Sequence, residues 1–391
     1  MTVRDVLEQA VDARRDELVA LSHAVHGDAE VGFEEHTSSR RVADALAAGG
    51  FEVELGVADL DTALVARAGD GPLTIGICAE YDALPGIGHA CGHNVIAAAA
   101  VGAGLALAEA ADELGVEVRV LGTPAEEGGG GKVLMLERGA FDGLHAAMMV
   151  HPAPLEADRF PCLAVQHFDV RYRGRSAHAS AYPQLGVNAA DALTVAQVAI
   201  GLLRQHIRPT DRIHGIVTDG GDAPNIVPER TAGQWYARAA TLAELAELYP
   251  RVQRCFEAGA LATGAEVVFD EPGPAYSEFL HDEDLAALYR REAEAIGRVF
   301  PDHGPEDHFA GSTDMANVSL VIPAIHPMIA IEADGAVTHQ PEFAAASVTP
   351  SADRAVRDGS LAMARTVAAI VEEDRVRQRL LATAYQAAAS S

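Results

Sequence analysis

Apolar residues recur at helical spacing over residues 5–25 and again over 36–48, so both stretches are expected to form amphipathic helices. The pattern then shortens. Residues 62–67 (Thr-Ala-Leu-Val-Ala-Arg) and 73–79 (Leu-Thr-Ile-Gly-Ile-Cys-Ala) are brief apolar runs of the kind that form strands. Residues 94–111 are apolar almost all round and predict a buried helix; a strand at 116–121, a helix near 131–138 and a strand at 145–150 follow. Strands alternating with helices predict an α/β fold, with a mainly parallel, doubly wound sheet covered on both faces.

The texture changes near residue 163. Residues 163–173 alternate like a half-exposed strand, and a long helix is expected over about 186–206. Strands near 212–218 and 231–239, a helix at 241–259 and a strand at 265–269 complete a β-α-β-β-α-β run, the order of a ferredoxin-like split unit. The turn Glu271-Pro272-Gly273-Pro274 closes it, and helix–strand alternation resumes up to a long helix from about 351. A chain of 391 residues exceeds what one core usually supports. The expected organisation is a first domain in two parts, 1–163 and 277–391, with a second, α+β domain inserted over 164–276.

Composition narrows the partners. Asp and Glu number 57 against 29 Lys and Arg, a formal charge of −28. A surface that acidic repels nucleic acid and anionic membrane, so neither is expected as a partner. Four cysteines make no disulfide framework; Cys78, Cys162 and Cys255 sit in apolar or amphipathic stretches as small hydrophobes. The N-terminus has no leader-like apolar run, and the longest apolar stretch, Val95 to Ala111, carries Glu109. A cytoplasmic enzyme is the expectation.

Candidate chemistry gathers at strand ends, where open α/β sheets bind ligands. Glu80, Tyr81 and Asp82 follow the strand 73–79, although an ordinary polar loop would look the same. Cys91 and His93, in Gly88-His89-Ala90-Cys91-Gly92-His93-Asn94, stand two apart across a glycine that permits a tight turn. A helix start there favours the thiolate a metal needs. A bare Cys-x-His is equally well a core histidine beside an inert thiol; His89 and the glycines tip the balance toward a site. Glu126 and Glu127 stand at the end of the strand 116–121, ahead of four glycines. Such a pair in a cleft is costly unless a cation or proton offsets it, and adjacent carboxylates can divide the labour between metal and substrate. His151 ends the apolar run 145–150, and His339 lies far downstream in Thr338-His339-Gln340-Pro341. Together these residues suit a zinc-type site of mixed soft and borderline ligands.

The motifs Glu80–Pro85, His89–Asn94, Thr123–Gly128, Gly174–Ser180 and Gly311–Asp314 resemble the aminoacylase-type di-metal peptidases and amidohydrolases, in the branch of aminobenzoyl-glutamate hydrolase and β-alanyl dipeptidase-like proteins. The likeness runs over nearly the whole chain. It implies two divalent metal ions, zinc first, with manganese, cobalt or nickel as alternatives. It implies Cys91 (bridging), His93, Glu127, His151 and His339 as their ligands, Glu126 as general base and Asp82 as the acid that orients a ligand from behind. It further implies that the two-part domain is catalytic and the inserted one a lid and dimerisation domain, that His178 reaches the active site of a partner subunit in a homodimer, and that Asn225 faces the substrate; Asp314 and the nearby hydroxyls, Ser312 among them, are expected to shape the substrate pocket. The implied reaction is hydrolysis of the amide bond of a dipeptide, N-acyl amino acid or aryl-amide conjugate by metal-bound water, with Glu126 shuttling the proton. An aryl-amine deaminase on the same site, or a non-catalytic metal-binding protein of the same fold, are the alternatives; a structural metal site has no use for the extra carboxylate of Glu126. The chain departs from the wider clan in carrying Glu80 where a histidine is usual, from the auxin-conjugate branch in carrying Asn94 for an aspartate, and from the usual Pro-Glu in carrying Ala29-Glu30. His23, His26 and His36 are expected on solvated helix faces, and His145, His206 and His303 have no motif around them.

Overall fold

The computed structural model describes residues 1–301 and 311–386, so His303 lies outside the described residues. The chain forms two compact units: Met1–Pro161 with Phe279–Ser391, and Cys162–Glu278. In chain order the strands are β1 (Glu52–Leu55), β2 (Leu64–Ala68), β3 (Leu73–Ala79), β4 (Val116–Gly122), β5 (Ala146–Met148), β6 (His151–Ala153), β7 (Ala164–Arg173), β8 (Arg212–Asp219), β9 (Arg230–Ala239), β10 (Glu266–Asp270), β11 (Ala324–Ile325) and β12 (Met328–Ala330).

The first unit is built on a six-stranded sheet in the order β1-β2-β4-β3-β5-β11. From β4 through β11 the neighbours run parallel, while β2 pairs antiparallel with both β1 and β4. The connections decide this. β1 and β2 are joined by the short segment 56–63, whereas β3 reaches β4 through the helix His93–Leu114, the crossover that a parallel pair needs. Alternate residues of the central strands serve opposite faces. Leu73, Ile75 and Ile77 of β3 and Val116, Val118 and Val120 of β4 join the core under the helix His93–Leu114. Cys78 and Leu121 point into a second core with Met135, Phe141 and Met315. The sheet is thus covered on both sides, as the pattern predicted.

Two expectations change. The helix over 5–25 is two helices, Val3–Ala13 and Arg15–Asp28, broken at Arg14. The strand over 145–150 also divides: β5 stops at Met148, and His151 opens β6, which pairs with β12 instead. The residue after His151 is Pro152, which has no N–H to give to a continued ladder, and the His151 N–H goes to the Pro327 carbonyl.

Among the described residues, His93–Leu114 is the one helix long and apolar enough to cross a membrane, and it is buried within the unit. It lies against the helix Pro350–Glu372 through small residues. Ser360 Oγ donates to the Ala99 carbonyl at 3.1 Å, and a Cβ on Gly102 would sit 2.3 Å from Ser360 Oγ. Gly102→Val is therefore expected to destabilise the protein by roughly 1–3 kcal/mol through overpacking, read as a fall in the denaturant midpoint.

The second unit is a four-stranded antiparallel sheet, β10-β7-β9-β8, with the helices Ala189–Leu203 and Leu242–Thr263 between its strands in sequence. This is the split β-α-β-β-α-β unit. Phe168, Tyr172, Trp235 and Phe256 fill its core.

Candidate active site

Each candidate site residue of the first unit leaves the end of a regular element. Glu80 and Asp82 follow β3; Glu126 and Glu127 follow β4; Cys91 and His93 stand at the start of the buried helix. His151 opens β6, and His339 precedes the helix Pro341–Ala346. Gly92 is required between Cys91 and His93, because its φ of +75° is left-handed and a Cβ there would meet Pro152 Cγ at 2.4 Å.

Three sets of potential metal donors result among the described residues: Glu80, His93 and Glu126 form one, and the other two share Cys91. One donor atom each from Cys91, His93 and His151 lie within 4.8 Å of one another, and so do those of Cys91, Glu127 and His339. Cys91 belongs to both. His151 hydrogen-bonds the Pro152 carbonyl at 2.8 Å through Nδ1, which places the proton there and leaves the Nε2 lone pair available. Burial, with the nearby His93, takes its pKa down to about 4, so the ring is neutral at pH 7. His93 is oriented by Asp82, whose Oδ1 lies 3.0 Å from His93 Nδ1 while its Oδ2 accepts the Glu127 N–H at 3.0 Å. The carboxylate of Asp82 thus fixes a residue from each donor set. Among the described residues His93 Nε2 has no hydrogen-bond partner, and it faces oxygens of Glu80, Glu126 and Glu127 at 3.4, 3.8 and 4.0 Å. His339 sits at a left-handed φ of +69°, its N–H bonded to the Ala90 carbonyl and its Nε2 3.6 Å from Glu127. A non-glycine residue in that region costs of order 1–3 kcal/mol and is held only where the surroundings dictate it.

Charge is the dominant feature. Glu80, Asp82, Glu126 and Asp314 are all buried, and Glu127 nearly so. Burial, followed by the charges of Glu80 and Glu127, pushes Glu126 well above the usual carboxyl range. Burial, then Glu127, also pushes the Cys91 thiol up. The helix start, expected to acidify this thiol, is outweighed, so the thiolate needs a cation beside it.

A fully buried cation answers part of this charge. Lys132 Nζ lies 2.6 Å from Glu80 and 2.7 Å from Asp314, and the Lys132 N–H donates to the other Asp314 oxygen at 2.8 Å. No motif marks Lys132; the only hint is its place after the glycine run, at the start of the helix Gly131–Glu137. The triad explains why Glu80 can stand where the wider clan has histidine, since Lys132 holds it. It also corrects the expectation for Asp314, which is an ion-pair partner with no solvent exposure rather than a wall of the substrate pocket. Among the described residues, one lysine against the five carboxylates Glu80, Asp82, Glu126, Glu127 and Asp314 still leaves a strongly acidic pocket. That excess and the two donor sets that share Cys91 fit divalent cations held by Cys91, His93, Glu127, His151 and His339.

Other residues prove structural. His89 bonds the Val25 carbonyl at 3.0 Å and ties the loop to the N-terminal helices, so its presence beside Cys91 is no sign of a ligand. Asn94 donates through its amide to Ser22 Oγ and to the Ser347 carbonyl, two bonds that an aspartate could not donate. His145 accepts the Thr74 N–H, and Cys78, Cys162 and Cys255 are buried. Ser312 is half-buried on the segment leading to Asp314.

His178 and Asn225 belong to the second unit, where backbone bonds align their segments: Val227 N–H to the Ala177 carbonyl and Ala179 N–H to the Asn225 carbonyl. His178 Nδ1 accepts from the backbone of Ser180 and Ala181 at 3.3 Å, so Nε2 carries the proton and points a donor outward from an exposed position.

An α/β sheet with thiol, imidazole and carboxylate donors at its strand ends, and a further buried glutamate beside them, defines a metal-dependent amidohydrolase. The chain belongs to Peptidase family M20/M25/M40, whose pattern matches residues 76–357. It is 36% identical over 387 residues to the Xaa-Arg dipeptidase of Mus musculus, covering 93% of this chain and 88% of that protein. It is 32% identical over 309 residues to a p-aminobenzoyl-glutamate hydrolase polypeptide of Escherichia coli (strain K12), covering 73% of this chain and 63% of that one. Two solved structures share the fold. The aminobenzoyl-glutamate utilization protein of Klebsiella pneumoniae superposes with a TM-score of 0.73 at 20% identity, over 92% of this chain and 98% of that one. A dinuclear metal binding peptidase of the same family from Bacillus subtilis gives 0.67 at 21% identity, over 92% and 99%. The expected family and fold class are borne out.

Proposed function

We propose that the protein hydrolyses the amide bond of a dipeptide or a related N-acyl amino acid, with two divalent ions held by Cys91, His93, Glu127, His151 and His339. The carrying observation is the pair of donor sets that meet at Cys91, with the carboxylate of Glu126 3.8 Å from His93 Nε2. Bound there, the ions would polarise a substrate carbonyl and lower the pKa of a water molecule. The chain's own groups do the rest. Glu126, kept basic enough by its acidic surroundings to accept a proton, takes one from the attacking water and delivers it to the leaving nitrogen. Asp82 fixes the His93 ring and the Glu127 peptide. Asp82→Asn is expected to weaken metal affinity about 10–100-fold, read by competition with a metal-binding dye.

Zinc is the first choice of metal because a thiolate stands in both of the donor sets that meet at Cys91. The substrate class follows the similarity to an Xaa-Arg dipeptidase and to an aminobenzoyl-glutamate hydrolase, with Asn225 and Ser312 as substrate contacts. We assign His178, whose outward Nε2–H suits a developing oxyanion, the role the resemblance gives it in the site of a second copy of the chain. Homodimerisation through the second unit is supported by its edge strand β8, which exposes Ile216 and Val217, and by Val198 and Leu202, exposed on the helix Ala189–Leu203.

The test is a product assay over a panel of dipeptides with basic or neutral C-terminal residues, p-aminobenzoyl-glutamate and N-acyl amino acids. Release of a free amino acid supports the proposal and names the class. Release of ammonia without amide cleavage would replace it with a deaminase.

A further inference from the structure

Ala125, the residue before Glu126, has a left-handed φ of +54°. Its N–H donates to Glu35 Oε1 at 2.8 Å. Glu35 has no solvent exposure, and its other oxygen accepts from Thr62 Oγ1 at 2.7 Å. The Thr62 carbonyl accepts the hydroxyl of Tyr81, the neighbour of Asp82. A few residues earlier the Glu30 carbonyl accepts the Ala83 N–H at 2.7 Å. Segment 30–35 therefore touches both loops that carry the candidate site, the one at Asp82 and the one at Glu126.

Nothing about helix formation requires an acid there. Glu35 precedes the helix His36–Ala48, yet its side chain caps none of that helix's N–H groups; Glu30 bonds Thr37 and Ser38 instead. Burying a carboxylate without a counter-cation is costly, and burial together with the charge of Asp82 pushes Glu35 up to about 7. What the carboxylate supplies is an acceptor for a peptide N–H in an unfavourable conformation, one residue before the proton shuttle.

We infer that Glu35 is a positioning residue for catalysis: through the Ala125 N–H and the Thr62 hydroxyl it holds the turn that aims the Glu126 carboxylate. This rests on Glu126 as the base. Releasing the turn would leave the metal donors in place and misdirect the proton transfer to the leaving nitrogen. A misplacement of about 1 Å can cost roughly 10²-fold in rate.

The experiment compares Glu35→Ala, Glu35→Gln, Thr62→Val and Glu126→Gln in the full-length protein. Metal content, kcat and KM are measured on an amide with an alkylamine leaving group and on its p-nitroanilide counterpart. Glu35→Ala is expected to lower kcat roughly 10²-fold on the alkyl amide and clearly less on the anilide, which needs less protonation, with KM and metal content unchanged. Glu35→Gln, which keeps the acceptor, is expected to recover most of the rate, and Thr62→Val to show a smaller loss with the same leaving-group dependence. Should Glu35→Ala fail to fold, Thr62→Val decides. Equal losses on both substrates, loss of metal, or no recovery in Glu35→Gln would make Glu35 a packing residue and overturn the inference. Wild-type kcat in Glu35→Ala or Thr62→Val beside an inactive Glu126→Gln would overturn it while leaving the base assignment intact. An active Glu126→Gln would overturn the base assignment itself.

Discussion

Glu126→Gln is expected to cut turnover roughly 10²–10⁴-fold while metal content and KM stay near wild type. Gln matches Glu in shape and hydrogen-bonding reach but takes no proton at neutral pH, so only the proton transfer is removed. The substitution also deletes one negative charge from a pocket in which burial, Glu80 and Glu127 all disfavour ionisation of Glu126. Folding stability is thus expected to hold or to rise slightly, which separates this outcome from a folding defect. Steady-state amino-acid release, with elemental analysis of the same sample, checks both halves. A variant that keeps its metal and most of its kcat would remove Glu126 from the chemistry.

Lys132→Ala carries the largest expected effect on stability. The ammonium is fully buried between Glu80 and Asp314, with Glu126 also within electrostatic reach. Removing it leaves two buried acids without their cation, and breaking a buried pair from one side typically costs about 3–5 kcal/mol. Replacing all three members by neutral residues of similar shape, as in Lys132→Met with Glu80→Gln and Asp314→Asn, is expected to recover much of that loss, because no charge is left unpaired. Denaturant midpoints of the single and triple variants measure the difference. A loss below about 1 kcal/mol in the single variant would mean the three charges do not depend on one another.

The parts of the site that were legible in the sequence are those whose residue types announce their chemistry. Cys91, His93, Glu126 and Glu127 sit at element ends defined by strong apolar runs, so their convergence followed from the α/β alternation. Lys132 and Glu35 were illegible because their roles depend on partners distant in the chain: Asp314 is 182 residues from Lys132, and Ala125 is 90 from Glu35. A lysine opening a helix and an acid just before one look like solvated surface residues until tertiary packing buries them. His89 misled for the opposite reason: its neighbours have metal-site residue types, but its ring is used by Val25. The division at Met148 was hidden inside one continuous apolar run, because only the pairing of His151 with Met328 breaks it.

Whether Cys91 helps hold the divalent ions of the proposed site is read most directly from metal content per chain in the native protein and in Cys91→Ala. Two ions per chain are expected in the native protein, with turnover abolished by a chelator and restored by zinc, and with bound metal lost from Cys91→Ala. Native protein without divalent metal and with chelator-indifferent turnover, or Cys91→Ala with both ions still tightly bound, would contradict the proposed site.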